Sequence, residues 1–173
     1  TFDELTDTAK DRAREWYREG ALVYDWWDCT YEDAATIGLK ITSFDLDRNR
    51  HAKGHLTMSL TDSCKAILAN HGEACETHKT ASDYLRQYNR LDNTKDEASA
   101  SLTDAEADDD KETEIEDRFE DAIVQLAEEY QQCLLEDYSI MLQKEYEWLL
   151  SDEQVDESIR ANEYEFTETG KRA

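Results

Sequence analysis

Eleven carboxylates crowd one short stretch of this sequence: Asp104, Glu106, Asp108, Asp109, Asp110, Glu112, Glu114, Glu116, Asp117, Glu120 and Asp121. Acid–base catalysis would need one pair of them set apart by its surroundings. With 43 acids in the chain, spacing alone singles out no such pair. What the spacing does offer is charge density. On a helix, carboxylates three or four residues apart lie about 5–6 Å from each other, near the phosphate spacing of one nucleic-acid strand. Residues 101–140 hold 15 acids and 2 bases. That is one acid per roughly 4 Å of helix axis, against one phosphate per ~3.4 Å of a single strand. The chemistry on offer is recognition of cations, in the manner of a nucleic-acid mimic.

Other residue types suggest less. Cys64, His71, Cys75 and His78 include metal-ligand types, but zinc sites usually bring paired Cys-x2-Cys knuckles, and cysteines at helix positions behave as small apolar groups. His51-x3-His55 straddles an expected turn. Asp45-Leu46-Asp47 resembles the start of a calcium loop without its glycine or distal glutamate. No Gly-x-Ser-x-Gly and no phosphate-cradling glycine loop is present, and there are only five glycines. The residues therefore point to a protein without turnover, metal or cofactor.

Composition narrows the partner. The 173 residues carry 19 basic and 43 acidic side chains, a net charge of -24. Binding to DNA or RNA through such a surface is excluded, because phosphate contact depends on Lys and Arg. Anionic membrane is excluded for the same reason. A basic protein is favoured, with association steered by charge and sensitive to salt. No apolar run approaches the ~18 residues of a membrane span, and no secretory signal is visible. Four cysteines without a Cys-x-x-Cys pair suit free thiols in a reducing cytosol. The length predicts one domain over residues 1–173.

The elements that must position the acids follow from period and punctuation. A helix capped by Thr6 should run to about Gly20, with Ala9, Ala13, Trp16 and Tyr17 on one face. A second helix should follow almost at once through Tyr24, Trp27, Tyr31 and Ala34 or Ala35, stopping at Gly38. Alternation over 40–47 and 54–60 predicts a hairpin, and Glu163–Thr167 offers a third strand. Short helices are expected from a cap at Thr61 or Asp62 to His71-Gly72 and from about Thr80 to Leu91. Residues 92–102 read as a linker. Thr103-Asp104-Ala105-Glu106 has the form of a capping box, opening an acidic helical arm over 103–122. This arm leads into a long C-terminal helix to about 150, in which Phe119, Ile123, Leu126, Tyr130, Cys133 or Leu134, Tyr138, Met141 or Leu142 and Leu149 recur in steps of three and four. Ser151-Asp152-Glu153-Gln154 is a second capping box, with Leu150 and Val155 as its staple. The sum is a mainly helical α+β fold, with a small antiparallel sheet of two or three strands. Of the adjacent tryptophans, Trp26 should point off its helix's main stripe and serve an interface.

The ends of the chain carry a resemblance. Phe2-Asp3-Glu4-Leu5, Ala13-Arg14-Glu15-Trp16-Tyr17, the Tyr24–Asp33 stretch and Ala161-Asn162-Glu163-Tyr164-Glu165-Phe166-Thr167 with Gly170-Lys171-Arg172 resemble a family of small uncharacterised proteins of tailed bacteriophages and prophages, some labelled antitoxins. The likeness covers residues 1–47 and 136–173 and supplies no catalytic residues. It implies a phage gene acting in the bacterial cytoplasm. Joined to the acidic block, it predicts an inhibitor of a host defence system, of anti-CRISPR or anti-restriction type, occluding the basic groove of a nucleic-acid-binding host protein. The alternative is an antitoxin-type or structural module that pairs through the long helix, as a homodimer or with another chain.

Overall fold

The computed structural model describes residues 1–102 and 109–173. After a single 3-10 turn at Phe2–Glu4 come α1 (Asp7–Ala21), α2 (Asp28–Thr36), β1 (Leu39–Asp45), β2 (His51–Leu56), α3 (Leu60–Asn70), α4 (Glu76–Ala100), α5 (Asp109–Leu149) and α6 (Asp152–Ala161). The fold is α+β and mainly helical, with a two-stranded antiparallel sheet and one long C-terminal helix, as the periodicities predict. The expected capping box at Thr103 lies outside the described residues. Where the length predicts one domain, the described residues gather into two compact units, Thr30–Ile140 and Thr1–Cys29 with Met141–Ala173.

In the unit formed by Thr30–Ile140, β1 and β2 pair with Leu39 opposite Leu56 and Ile41 opposite Gly54. The register then slips, so that Ser43 faces Lys53. The bulge at Thr42 inserts one residue, and the Thr42 hydroxyl donates to the Lys53 carbonyl at 3.2 Å. A bulge changes which face the later residues share. It accounts for Leu39, Ile41 and, three residues on, Phe44 all joining the core, where strict alternation would put Phe44 on the face opposite Leu39 and Ile41. Gly38 follows α2 with φ +78°, a left-handed conformation suited to glycine beyond a helix end. Ser59 caps α3 by accepting from the Asp62 amide at 3.2 Å, two or three residues before the Thr61 or Asp62 that the sequence suggests.

The main correction concerns residues 92–102. They read as a linker, yet α4 continues through them to Ala100. Leu91 packs against the core, and Lys95 lies 4.7 Å over the Phe119 ring while its ammonium pairs with Glu116 at 2.6 Å. The segment has neither Pro nor Gly to break the helix, and although its Asp, Asn, Thr and Ser are weak helix formers, the contacts of Leu91 and Lys95 hold it in register with α5. The pairs Thr80–Asp137, Tyr84–Cys133 and Lys95–Glu116 run in opposite chain directions, so α4 and α5 form an antiparallel hairpin.

The inner stripe of α5 closes this core: Leu126, Tyr130, Leu134, Leu135 and Tyr138 are buried with Ile37, Leu39, Cys64 and Ile67. Several of its polar groups are paired. The Ser63 hydroxyl sits 2.9 Å from the Tyr130 hydroxyl and donates to the Ile37 carbonyl at 2.7 Å. The Tyr138 hydroxyl donates to Asp33 Oδ2 at 2.7 Å.

In the other unit, α1 packs on α6 and buries Ala13 with Val155, Ile159 and Phe2. Arg14 makes two 2.7 Å bonds to the Asp156 carboxylate across that interface, the bidentate geometry that guanidinium favours. Ser151 caps α6 by accepting from the Gln154 amide. Only half of the expected box forms, because the Ser151 backbone N–H donates to the Trp148 carbonyl at 3.0 Å instead. Residues Glu163–Thr167 do not join β1 and β2. Phe166 makes one bridge to Arg172 around a turn at Gly170, and Trp16 lies edge-on to both Tyr164 and Phe166 at 5.3 and 5.5 Å. Aromatic contact with α1 thus replaces the strand pairing expected from alternation.

Two glycines in this unit have opposite expectations. Gly170 has φ +80°, and a Cβ there would meet the Ala9 carbonyl oxygen at 2.1 Å. Gly170→Ala should lower stability by about 2–4 kcal/mol. Gly20, in α1, has nothing within 4 Å of an added Cβ, so Gly20→Ala should raise stability by about 0.5–1 kcal/mol. Urea unfolding followed by tryptophan fluorescence checks both signs.

Candidate functional site

Of the eleven carboxylates singled out in the sequence, Asp104, Glu106 and Asp108 lie outside the described residues, as does the side chain of Asp109. Asp110, Glu112, Glu114, Glu116, Asp117, Glu120 and Asp121 all lie on α5 and all are exposed. The opposite side of these turns is apolar. Ile115, Phe119 and Ala122 line a shared apolar seam with Leu91, Lys95 and Ala98 of α4, and the Phe119 ring meets Tyr88 edge-on at 6.3 Å.

The acids do not form the single narrow row that the spacing suggests. With 3.6 residues per turn, these seven positions spread over about half of the helix circumference. Two of them already have cations: Glu116 holds Lys95, and Glu114 accepts from Arg118 at 2.6 Å. The Glu114–Arg118 pair is solvent-exposed and contributes little to stability. The remaining five form the more open part of the face. Like charges one turn apart, such as Glu112–Glu116, Glu116–Glu120 and Asp117–Asp121, each cost about 0.2–0.5 kcal/mol.

The other candidate residues separate in space or take structural roles. Cys64 is buried in the core, and burial pushes its thiol above the usual range. Cys75 is exposed at the start of α4. His71 Nδ1 is 2.8 Å from the Thr77 hydroxyl, and its Nε2 lies 3.6 Å from Asp33. Among the described residues no three His, Cys, Asp or Glu side chains gather as metal ligands would. His51 Nδ1 bonds the Asn49 carbonyl at 2.8 Å, and Asp45 Oδ1 accepts from the Asp47 amide at 2.8 Å. Asp45-Leu46-Asp47 is therefore a turn that closes the hairpin.

Sequence reasoning missed the polar core groups. Asp33 and Tyr138 are far apart in the chain, and neither position breaks a helical pattern, so nothing local announces the bond. Burial raises the hydroxyls of Tyr130 and Tyr138 well above the ordinary phenol range, and the Asp33 charge raises Tyr138 further. Both phenols stay protonated at neutral pH, as structural donors. Trp26 is half-buried and packs on Trp27 and Tyr146 at 5.6 and 5.8 Å, so much of its surface is used within its own unit.

Asp137, on the core side of α5, contrasts with the exposed block. Burial raises its carboxyl above the ordinary 3.8, against the opposing effect of the Thr80 hydrogen bond. The folded chain then holds this proton more tightly than the unfolded chain does. Its ionisation costs stability at neutral pH, and that cost disappears as pH falls through the raised value and below 3.8. Asp137→Asn keeps an acceptor for Thr80. It should raise the thermal midpoint at pH 7 by about 1–2 °C and leave it unchanged at pH 3, followed by circular dichroism.

Among the described residues, no helix is long and apolar enough to cross a membrane. Comparison with known proteins places the chain in no family, since no family model, no curated protein and no solved structure matches it.

Proposed function

We propose that this chain is a phage-encoded inhibitor, acting in the bacterial cytoplasm without turnover, that lays the acidic face of α5 into the cationic groove of a nucleic-acid-binding host defence protein. One observation carries the reading. Seven exposed carboxylates occupy the outer side of α5 between Asp110 and Asp121, while the inner side is held by Phe119 and Lys95. Apart from Glu114 and Glu116, which hold Arg118 and Lys95, these outer charges repel one another and add no packing to their own fold. A role outside the fold accounts for their presence.

The half-circumference spread bears on the kind of groove. A flat basic surface would meet only part of the arc, whereas a cleft that wraps the helix would meet most of it. Lys and Arg arranged for phosphates are suited to such an array. The alternative, an antitoxin-type or structural partner paired through the long helix, has less surface to use. Leu126, Tyr130, Leu134 and Tyr138 are spent on the chain's own core.

The test reverses Asp110, Glu112, Asp117, Glu120 and Asp121 to Lys, leaving Glu114 and Glu116 with their cations. In a restriction- or CRISPR-proficient host, the unaltered chain should raise phage plating by at least roughly ten-fold, and the five-lysine variant should not. Circular dichroism should show the helices retained. Equal protection by the variant would remove the charge mechanism.

A further inference from the structure

Beside the acidic face, in the same unit, lies an open groove of about 450 Å³. Leu56, Met58 and Leu60 form one wall, and Tyr88, Ile123, Val124 and Ala127 complete it. Val124 is 59% exposed and Met58 44%, among the most exposed large apolar side chains described. Glu128 stands at the edge, and the lining contains no Lys or Arg.

The helix period ties groove and charge together. Glu120 lies one turn before Val124 on the same face of α5, and Glu128 lies one turn after it. Asp117 and Asp121 extend the same side toward the start of the helix. An exposed apolar anchor point thus has carboxylates before and after it in helical register. Its complement is an amphipathic helix that carries a large apolar side chain with Lys or Arg one turn away in each direction, the arrangement of helix-in-groove recognition. Met58, unbranched and flexible, lets such a pocket adapt to its occupant. A second copy of this chain is the wrong occupant, because each copy carries a net charge of -24.

We infer that the groove between the β2–α3 junction and α5 is a docking site for a basic amphipathic helix of the partner, with the apolar anchor seated against Met58 and Val124. The inference rests on the acidic-face reading and adds to it the secondary structure and apolar anchor of the segment recognised.

The test uses the full chain and two labelled peptides of identical Leu and Lys composition, one an amphipathic helix and the other scrambled to remove its apolar face. The amphipathic peptide should bind at least roughly ten-fold tighter and shift the methyl resonances of Met58, Ile123 and Val124. Val124→Glu and Met58→Glu, both at exposed positions, should each reduce it to the affinity of the scrambled peptide. Equal binding of the two peptides, or methyl resonances that stay in place, would overturn the groove while leaving the acidic face intact. Scrambled-peptide binding that survives the five-lysine reversal would instead strike at the acidic face itself. Concentration-dependent dimerisation of the free chain, abolished by Val124→Glu, would assign the groove to a second copy and overturn the inference.

Discussion

Burial of one stripe of α5 is the constraint on which the larger unit depends. Leu126, Tyr130, Leu134 and Tyr138 face the hairpin, α3 and α4, and each such side chain contributes about 1.5–3 kcal/mol when removed from water. Tyr130 adds a directional element, because its hydroxyl meets Ser63, which in turn holds the carbonyl of Ile37 at the end of α2. Leaving those groups unpaired in the core would cost about 1–3 kcal/mol each. Packing and hydrogen bonding therefore select the same register for α5.

That anchoring makes the acidic face affordable to the fold. A helix with carboxylates over half its circumference would be marginal alone, since repulsion one turn apart adds to weak nucleation. Here the inner stripe offsets the repulsion. Lys95 helps twice, neutralising Glu116 and covering Phe119. One helix can then serve two purposes, because 3.6 residues per turn separate an inner stripe from an outer arc. Ile123 lies where the two meet and Val124 within the acidic arc itself, which places an apolar groove beside a charged surface.

Much of this was legible in the residues. The steps of three and four from Phe119 to Leu142 describe α5, and Ser151 marks the break before α6. Gly38 marks the passage from α2 to the hairpin. Other features had no local signature. Asp92 to Ala100 looks like a linker because its apolar residues thin out, yet it needs only Leu91 and Lys95 as tertiary holds. Tyr164 and Phe166 alternate as strand residues do, and it is Trp16, remote in sequence, that claims them for α1. Thr42 gives no sign of a bulge, since a bulge reflects how two strands must fit the helices beneath them.

By itself the sequence determined most of the helices, the hairpin, and the sign and location of the charge. Those properties depend on neighbours a few residues apart and on composition. Only the tertiary structure decided how α4 extends to brace α5, which side of α5 is left for the carboxylates, and that Met58 and Val124 share a groove. Each of these depends on contacts between residues distant in the chain, where hydrophobic burial, which has no preferred direction, acts through whichever surfaces the fold brings together.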